Sequence, residues 1–214
     1  MDVDIIHFKR PEKHNALDLD HLKEIYDELC NCSNPVVIYG EPSFSSGLDL
    51  NFVQHASEPE IIEFADIAND LILRIASHPK PVVAFVKGYT FGAGFSIALA
   101  CDAIVADESA VFSTGFAKLG IAPDMGVSFL LPRITGLKRA LRLLSTAERF
   151  GVDEAIRLGI VDRKGNLDDA VDLARRMDGN SIKYIKELVY SGFREHVMRE
   201  KEMALKSIED MRNV

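Results

Sequence analysis

The 214-residue chain has only three cysteines, Cys30, Cys32 and Cys101. That odd count and spacing form neither a disulfide framework nor a zinc or thioredoxin motif, so the thiols read as reduced and structural. A basic stripe is also lacking: 25 Lys and Arg stand against 33 Asp and Glu, a net charge of -8. This excludes nucleic acid as a main partner, but not one anionic ligand held in a locally positive pocket. No apolar run spans a bilayer, and the longest, Phe95 to Ala106, carries Asp102. The opening MDVDIIHFKR lacks a basic region followed by an apolar one, so no signal peptide and a cytoplasmic location are expected. His14, His55 and His78 have no partners at metal-ligand spacing, and no metal is expected. Repeats and low-complexity tracts are absent.

The composition is that of a globular protein, with 47% hydrophobic and 27% charged residues. At this size folding buries about 70% of the extended-chain surface, enough for one core and an appendage. Residues 1–8 and 35–39 read as strands, with a helix between them capped by Asp18 and running to about Leu29. Glu60 to Ser77 has helical apolar spacing and is broken by Pro79 and Pro81. Val82–Val86 is a buried strand, followed by a helix from Phe95 to Cys101 and short strands at 103–106 and 110–112. Helices fit Lys138–Thr146 and Asp153–Leu158, the latter ended by Gly159. From Asn180 to Val214 the chain is almost entirely helix-forming. The class is α/β, divided into a core over 1–179 and a helical region over 180–214.

Two loops stand out for chemistry. Phe44-Ser45-Ser46-Gly47-Leu48-Asp49-Leu50 combines small residues with a glycine, which lets backbone approach a ligand. Gly88-Tyr89-Thr90-Phe91-Gly92-Ala93-Gly94 lies between a buried strand and a helix. No Gly-Lys-Ser/Thr follows it, and Ile97 stands where a dinucleotide fingerprint needs its third glycine. What remains is a peptide N–H near Ala93, at a helix start, available to an oxyanion. Gly94-Phe95-Ser96-Ile97-Ala98 approximates a hydrolase nucleophile elbow, but a seven-residue loop separates Ser96 from the strand that an elbow requires.

These loops and three further blocks resemble the crotonase (enoyl-CoA hydratase/isomerase) superfamily. The blocks are Arg10-Pro11-Glu12-Lys13-His14-Asn15-Ala16-Leu17, Lys80-Pro81-Val82-Val83-Ala84 with Cys101-Asp102, and Leu119-Gly120-Ile121-Ala122-Pro123-Asp124-Met125-Gly126 with Leu131-Pro132-Arg133 and Gly136. The resemblance implies a spiral of repeated ββα units with a helical C-terminal trimerisation region, giving a homotrimer or a dimer of trimers. It implies an acyl-CoA thioester as ligand and no resident cofactor, since coenzyme A arrives on the substrate. It also implies a thioester enolate held by two peptide N–H groups, at Ser46 and Ala93. Lys13, Ser46, Gly47, Leu48, Asp49 and Gly92 are then expected along the CoA path.

The family's hydratases use two glutamates, and here those positions hold Ser96 and Phe116, both expected in the acyl pocket. A two-carboxylate hydration is therefore not expected. Asp124 remains as a proton-transfer group for a double-bond shift, near an apolar wall including Phe116 and Phe129 that would raise its pKa. The competing reading makes Asp124 a cap for a helix starting near Met125. The expected activity is an enoyl-CoA isomerase. The alternatives are an atypical enoyl-CoA hydratase and an inactive CoA-thioester binder or assembly subunit. Asp102 reads as structural, and Arg133 as an ion-pair partner. Relative to the family the chain is one helix short at its end, and apolar residues at Ile182, Ile185, Leu188, Val189, Met203, Leu205, Ile208 and Met211 call for burial by self-association.

Overall fold

The computed structural model describes residues 2–212. Met1 and Val214, outer limits of two expected elements, lie outside that range, as does the Met211 side chain. The order begins β1 (Asp4–His7), α1 (Leu19–Asn31), β2 (Val36–Tyr39), α2 (Leu50–His55) and α3 (Glu58–Ser77). It continues with β3 (Val82–Val86), β4 (Tyr89–Phe91), α4 (Ala93–Ala100), β5 (Ala103–Ala106) and β6 (Val111–Ser113). Then come α5 (Val127–Thr135), α6 (Leu137–Thr146), β7 (Phe150–Gly151), α7 (Val152–Arg157), β8 (Arg163–Lys164), α8 (Leu167–Met177), α9 (Ile182–Val189) and α10 (Phe193–Arg212).

Strands β1-β2-β3-β5-β8 form one parallel sheet, and β4-β6-β7 form a second in which only the β6–β7 pair is antiparallel. The chain steps from the first sheet to the second and into a helix, as β3-β4-α4 shows, and then returns one strand further along. Isolated parallel bridges at Leu17–Leu48 and Ser45–Thr90 repeat that step earlier in the chain. This is the expected ββα spiral.

A parallel sheet covered on both faces needs apolar residues at consecutive positions. Accordingly Val82, Ala84 and Val86 enter the main core, while Val83 and Phe85 enter a smaller cluster beneath α8. The α8 helix is new relative to the sequence reading, although Asn166 and Asp169 form a capping box at its start.

Local signals set several ends. The Asp18 carboxylate accepts from the His21 N–H at 3.0 Å and caps α1. Helix α3 starts two residues before the expected Glu60, because Pro59 is tolerated in a first turn, where its missing N–H would have no partner.

The C-terminal region differs from the expected appendage. It is broken into α9 and α10 at 190–192, and α10 folds back onto α3 and α5. Leu188 is 79% exposed and Val189 66% exposed, with Tyr184 and Ile185 beside them, and Leu137 and Leu141 are exposed on α6. Arg133 forms no ion pair among the described residues. Its guanidinium lies 3.3 Å from the centroid of the Phe129 ring and donates to the Phe129 carbonyl. No helix among the described residues is long and apolar enough to cross a membrane.

Candidate active site

The first loop is held from below by the Arg10–Leu17 block. Asn15 is fully buried and donates to the carbonyls of Ser43 (2.7 Å) and Glu41 (3.2 Å), while its own side-chain oxygen accepts from the Arg10 N–H. Ser45 donates to the Asn15 carbonyl at 2.7 Å and accepts from the Gly47 N–H at 3.1 Å. Gly47 has φ +91°, and a Cβ there would lie 2.7 Å from the Phe91 carbonyl oxygen. Only glycine lets the two loops meet this closely.

These bonds decide which peptide N–H groups are free, and they correct one expectation. The Ser46 N–H donates to the His14 carbonyl at 2.9 Å, so it is not available to a ligand. The Gly47 N–H is bound to Ser45, and the Asp49 N–H to the Leu17 carbonyl. In the second loop the Gly92 N–H is bound to the Ser113 carbonyl. Among the described residues no acceptor is recorded for the Leu48 N–H. Ala93 opens α4, where the geometry of a first turn leaves its N–H without an intrahelical partner. Leu48 and Ala93 both line one cleft of about 340 Å³.

Most of that cleft is apolar, with Phe52, Phe64, Phe91, Phe116 and Ile121 among its walls and Leu205 and Ile208 of α10 closing it. Asp124 is the only carboxylate among its lining residues, and Lys118 and Arg149 the only cations. The cleft brings together Ser46, Gly47, Leu48, Gly92, Ala93, Phe116 and Asp124. Lys13 and Asp49 are placed elsewhere, in a shallow neighbouring cleft, where Asp49 takes ion pairs from Lys13 (3.2 Å) and Arg10 (3.0 Å) and caps α2. Those cations hold its carboxyl below the usual range against the opposing effect of burial.

Ser96 is likewise not part of the wall. It is fully buried in α4 and donates to the Asp124 carbonyl at 3.3 Å, which also removes the nucleophile-elbow reading. Phe129 packs instead on Phe193 and His196.

Asp124 does not cap α5, because a left-handed turn at Met125 (φ 60°) and Gly126 (φ 77°) separates them. Its Oδ1 accepts the Met125 N–H at 2.7 Å. Burial pushes its carboxyl up to about 6, against the pull of the Met125 N–H, the Asn69 side chain and, more distantly, Lys201. The cap of α5 comes from Glu200 of α10, which the sequence reading missed. Its Oε2 accepts the Gly126 N–H at 2.5 Å and its Oε1 the Ser128 N–H at 2.7 Å, and the Ser128 hydroxyl donates to it as well. No local pattern announces a helix cap supplied from 74 residues away. Lys118 and Arg149 were also missed as cleft residues, and Leu48, expected along the CoA path, was not read as the residue with the free N–H.

A spiral of ββα units presenting two free peptide N–H groups and one half-buried carboxylate to an apolar cleft defines a class of α/β proteins. The comparisons agree. The family model for enoyl-CoA hydratase/isomerase matches residues 2–213, and the chain belongs to that family. A crotonyl-CoA hydratase of Syntrophomonas wolfei is 31% identical over 185 residues, covering 83% of this chain and 71% of that protein. A 4-chlorobenzoyl coenzyme A dehalogenase of Arthrobacter is 36% identical over 171 residues, covering 75% of this chain and 62% of that protein. The crystal structure of an enoyl-CoA hydratase from Bacillus halodurans superposes with a TM-score of 0.86 at 25% identity, covering 100% of this chain and 96% of that one.

Proposed function

We propose that the protein is an enoyl-CoA isomerase-type enzyme that shifts a double bond in an acyl-CoA thioester, with Asp124 as the proton-transfer group. The observation that carries this reading is the single carboxylate lining an apolar cleft. A shift from the 3-enoyl to the 2-enoyl thioester needs one base, which takes a proton from the α-carbon and returns it to the γ-carbon. The ionised Asp124 accepts that proton. The electron pair left behind delocalises onto the thioester oxygen, which the N–H groups of Leu48 and Ala93 receive. Fixed donors of this kind commonly supply about 3 kcal/mol each, since they need no reorganisation as charge develops. Phe116 at the cleft wall keeps a second carboxylate away from the reacting carbons.

Coenzyme A arrives with the substrate, and no resident cofactor enters the reaction. Lys118 and Arg149 have no ion-pair partner among the described residues, and they supply the counter-charge for an anionic ligand. Lys13, shared with Asp49, is the lesser contributor. Replacing either Lys118 or Arg149 by Ala is expected to weaken CoA-thioester binding about fivefold, ~1 kcal/mol, and to reduce its salt dependence, read by titration at two ionic strengths. The exposed apolar residues of α6 and α9 suit self-association as a homotrimer or a dimer of trimers, in a cytoplasm that keeps the three thiols reduced.

The test is optical. With a 3-enoyl-CoA the conjugated thioester absorbance should rise. If it instead falls with a 2-enoyl-CoA, the enzyme is a hydratase, as the Syntrophomonas relative is named. If neither occurs while the melting temperature rises with CoA esters, the protein is a binder.

A further inference from the structure

The loop that carries Asp124 has almost no backbone support of its own. Among the described residues, 122–125 make no backbone-to-backbone hydrogen bond. Peptide groups taken out of water need partners, and here side chains from two helices supply them. The Ala122 N–H donates to Ser207 Oγ of α10 at 2.9 Å, and the Asp124 carbonyl accepts from Ser96 Oγ of α4 at 3.3 Å. The other bond in the loop is local, from the Met125 N–H to the Asp124 carboxylate. Met125 is also held at positive φ, a conformation that persists only where its surroundings enforce it. We propose that Ser96 and Ser207 are positioning residues for the reaction: from α4 and from α10 they hold the loop so that the Asp124 carboxylate stands at a fixed place relative to the Ala93 N–H.

The first turn of α4 is where the parts of the site meet. Ala93 presents its N–H to the cleft. Gly94 packs so closely on the first loop that a Cβ there would lie 2.6 Å from the Ser45 Cβ, and Ser45 in turn accepts the N–H of Gly47, the neighbour of Leu48. Ser96, two residues on, is fully buried. Its own N–H donates to the Gly92 carbonyl at 3.0 Å, and its hydroxyl reaches the base loop. Both donors and the base are thus referred to one helical turn. Ser207 adds the support from α10. Its hydroxyl proton goes to the Ala204 carbonyl at 2.7 Å, which leaves the oxygen lone pairs for the Ala122 N–H. Ala204 and Ile208, on either side of it along the helix, line the cleft. An enolate forms only where donors and base act on one thioester at once, and a misplacement of about 1 Å can cost 10²-fold in rate. The inference rests on the reading of Asp124 as the base.

The test uses the whole protein with Ser96→Ala, Ser207→Ala and Ser207→Thr. Alanine suits a helix interior, and threonine keeps the hydroxyl at a half-buried position, so all three should fold. Exchange of the α-protons of hexanoyl-CoA and 3-hexenoyl-CoA with D₂O at saturation should fall about tenfold in each alanine variant, while KM changes less than about twofold. Ser207→Thr should recover most of the rate. A second readout needs no chemistry. Hydrogen exchange of the Met125 amide, followed by NMR, should quicken about tenfold or more in both alanine variants. The Leu130 amide, bonded to the Gly126 carbonyl inside α5, should keep its rate. An unchanged Met125 amide in alanine variants that melt as the wild type does would overturn the proposal, and so would a loss carried entirely by KM. Full activity in both alanine variants, where Asp124→Asn is inactive, would leave Asp124 as the base and sink the role of the serines. No α-proton exchange in the wild type would sink the isomerase reading instead, and leave the Met125 amide to decide this inference.

Discussion

Asp124→Asn should slow exchange of the thioester α-proton with D₂O by about 10²- to 10⁴-fold, while binding of a saturated acyl-CoA changes little. Asparagine keeps the size of the side chain and an acceptor for the Met125 N–H, so the loss isolates proton transfer. Only the ionised carboxyl is a base. The wild-type rate should therefore be level above pH 6 and fall tenfold per pH unit below it, in keeping with a carboxyl raised to about 6. The same shift has a cost in stability. The native state holds the Asp124 proton more tightly than the unfolded chain, so its contribution weakens as pH rises from about 4 through 6. By linkage this charge costs ~3 kcal/mol above that range. Asp124→Asn should then melt several degrees above wild type at pH 8 and level with it at pH 4. Exchange that survives in the variant would mean that another group is the base.

The largest loss of stability should come from Lys186→Ala. Lys186 and Asp102 form a nearly dry ion pair at 2.8 Å, which ties α9 to the turn between α4 and β5. Lys186 Nζ also donates to the Ile75 carbonyl at 2.9 Å, and Asp102 accepts the Val82 N–H at 2.8 Å. Even so, burial outweighs Lys186 and raises the Asp102 carboxyl above its usual range. A pair that barely offsets its desolvation adds little as a pair, but removing one partner strands the other. The expected cost is about 3–5 kcal/mol, or roughly 6–20 °C of melting temperature. Lys186→Met with Asp102→Asn should recover most of that loss, since Asn can still accept the Val82 N–H. A single variant that melts within two degrees of wild type would show that water reaches the pair.

The parts of this molecule legible in its sequence are those whose determinants are local. Asp18 before a periodic run marks the start of α1, and the unbroken apolar run of β3 marks a strand covered on both faces. The two glycine loops could be found for the same reason: Gly47 and Gly92 have conformations that few other residues adopt. The choice of donor could not be read locally. Whether the N–H of Ser46 or of Leu48 is free depends on the His14 carbonyl, supplied by a segment 32 residues earlier. Side-chain identity carries no information about a peptide N–H. Asp124 does line the cleft, but the competing role of helix cap belongs to Glu200, a charged residue on a charged helix with nothing local to mark it. Ser96 was misplaced because a helix start beside a site gives no sign of which way the side chain turns, and here it turns onto a backbone carbonyl.

The parallel sheet bears on how the molecule comes into being. Asp4 pairs with Val36, Val36 with Val82, and Val105 with Arg163, so no pair of neighbours in that sheet can be seeded by a hairpin. Every pairing waits for a long loop to close, which slows folding. At typical rates of synthesis roughly ten to thirty seconds separate the making of Leu48 from that of Glu200. For that interval the nascent chain carries the loop of Leu48, and after Gly94 the loop of Ala93 as well, but neither the helix that completes the cleft nor the Glu200 carboxylate that caps α5. The complete cleft is therefore a property of the folded chain with its last helix in place, and the onset of ligand binding during refolding would date the docking of that helix.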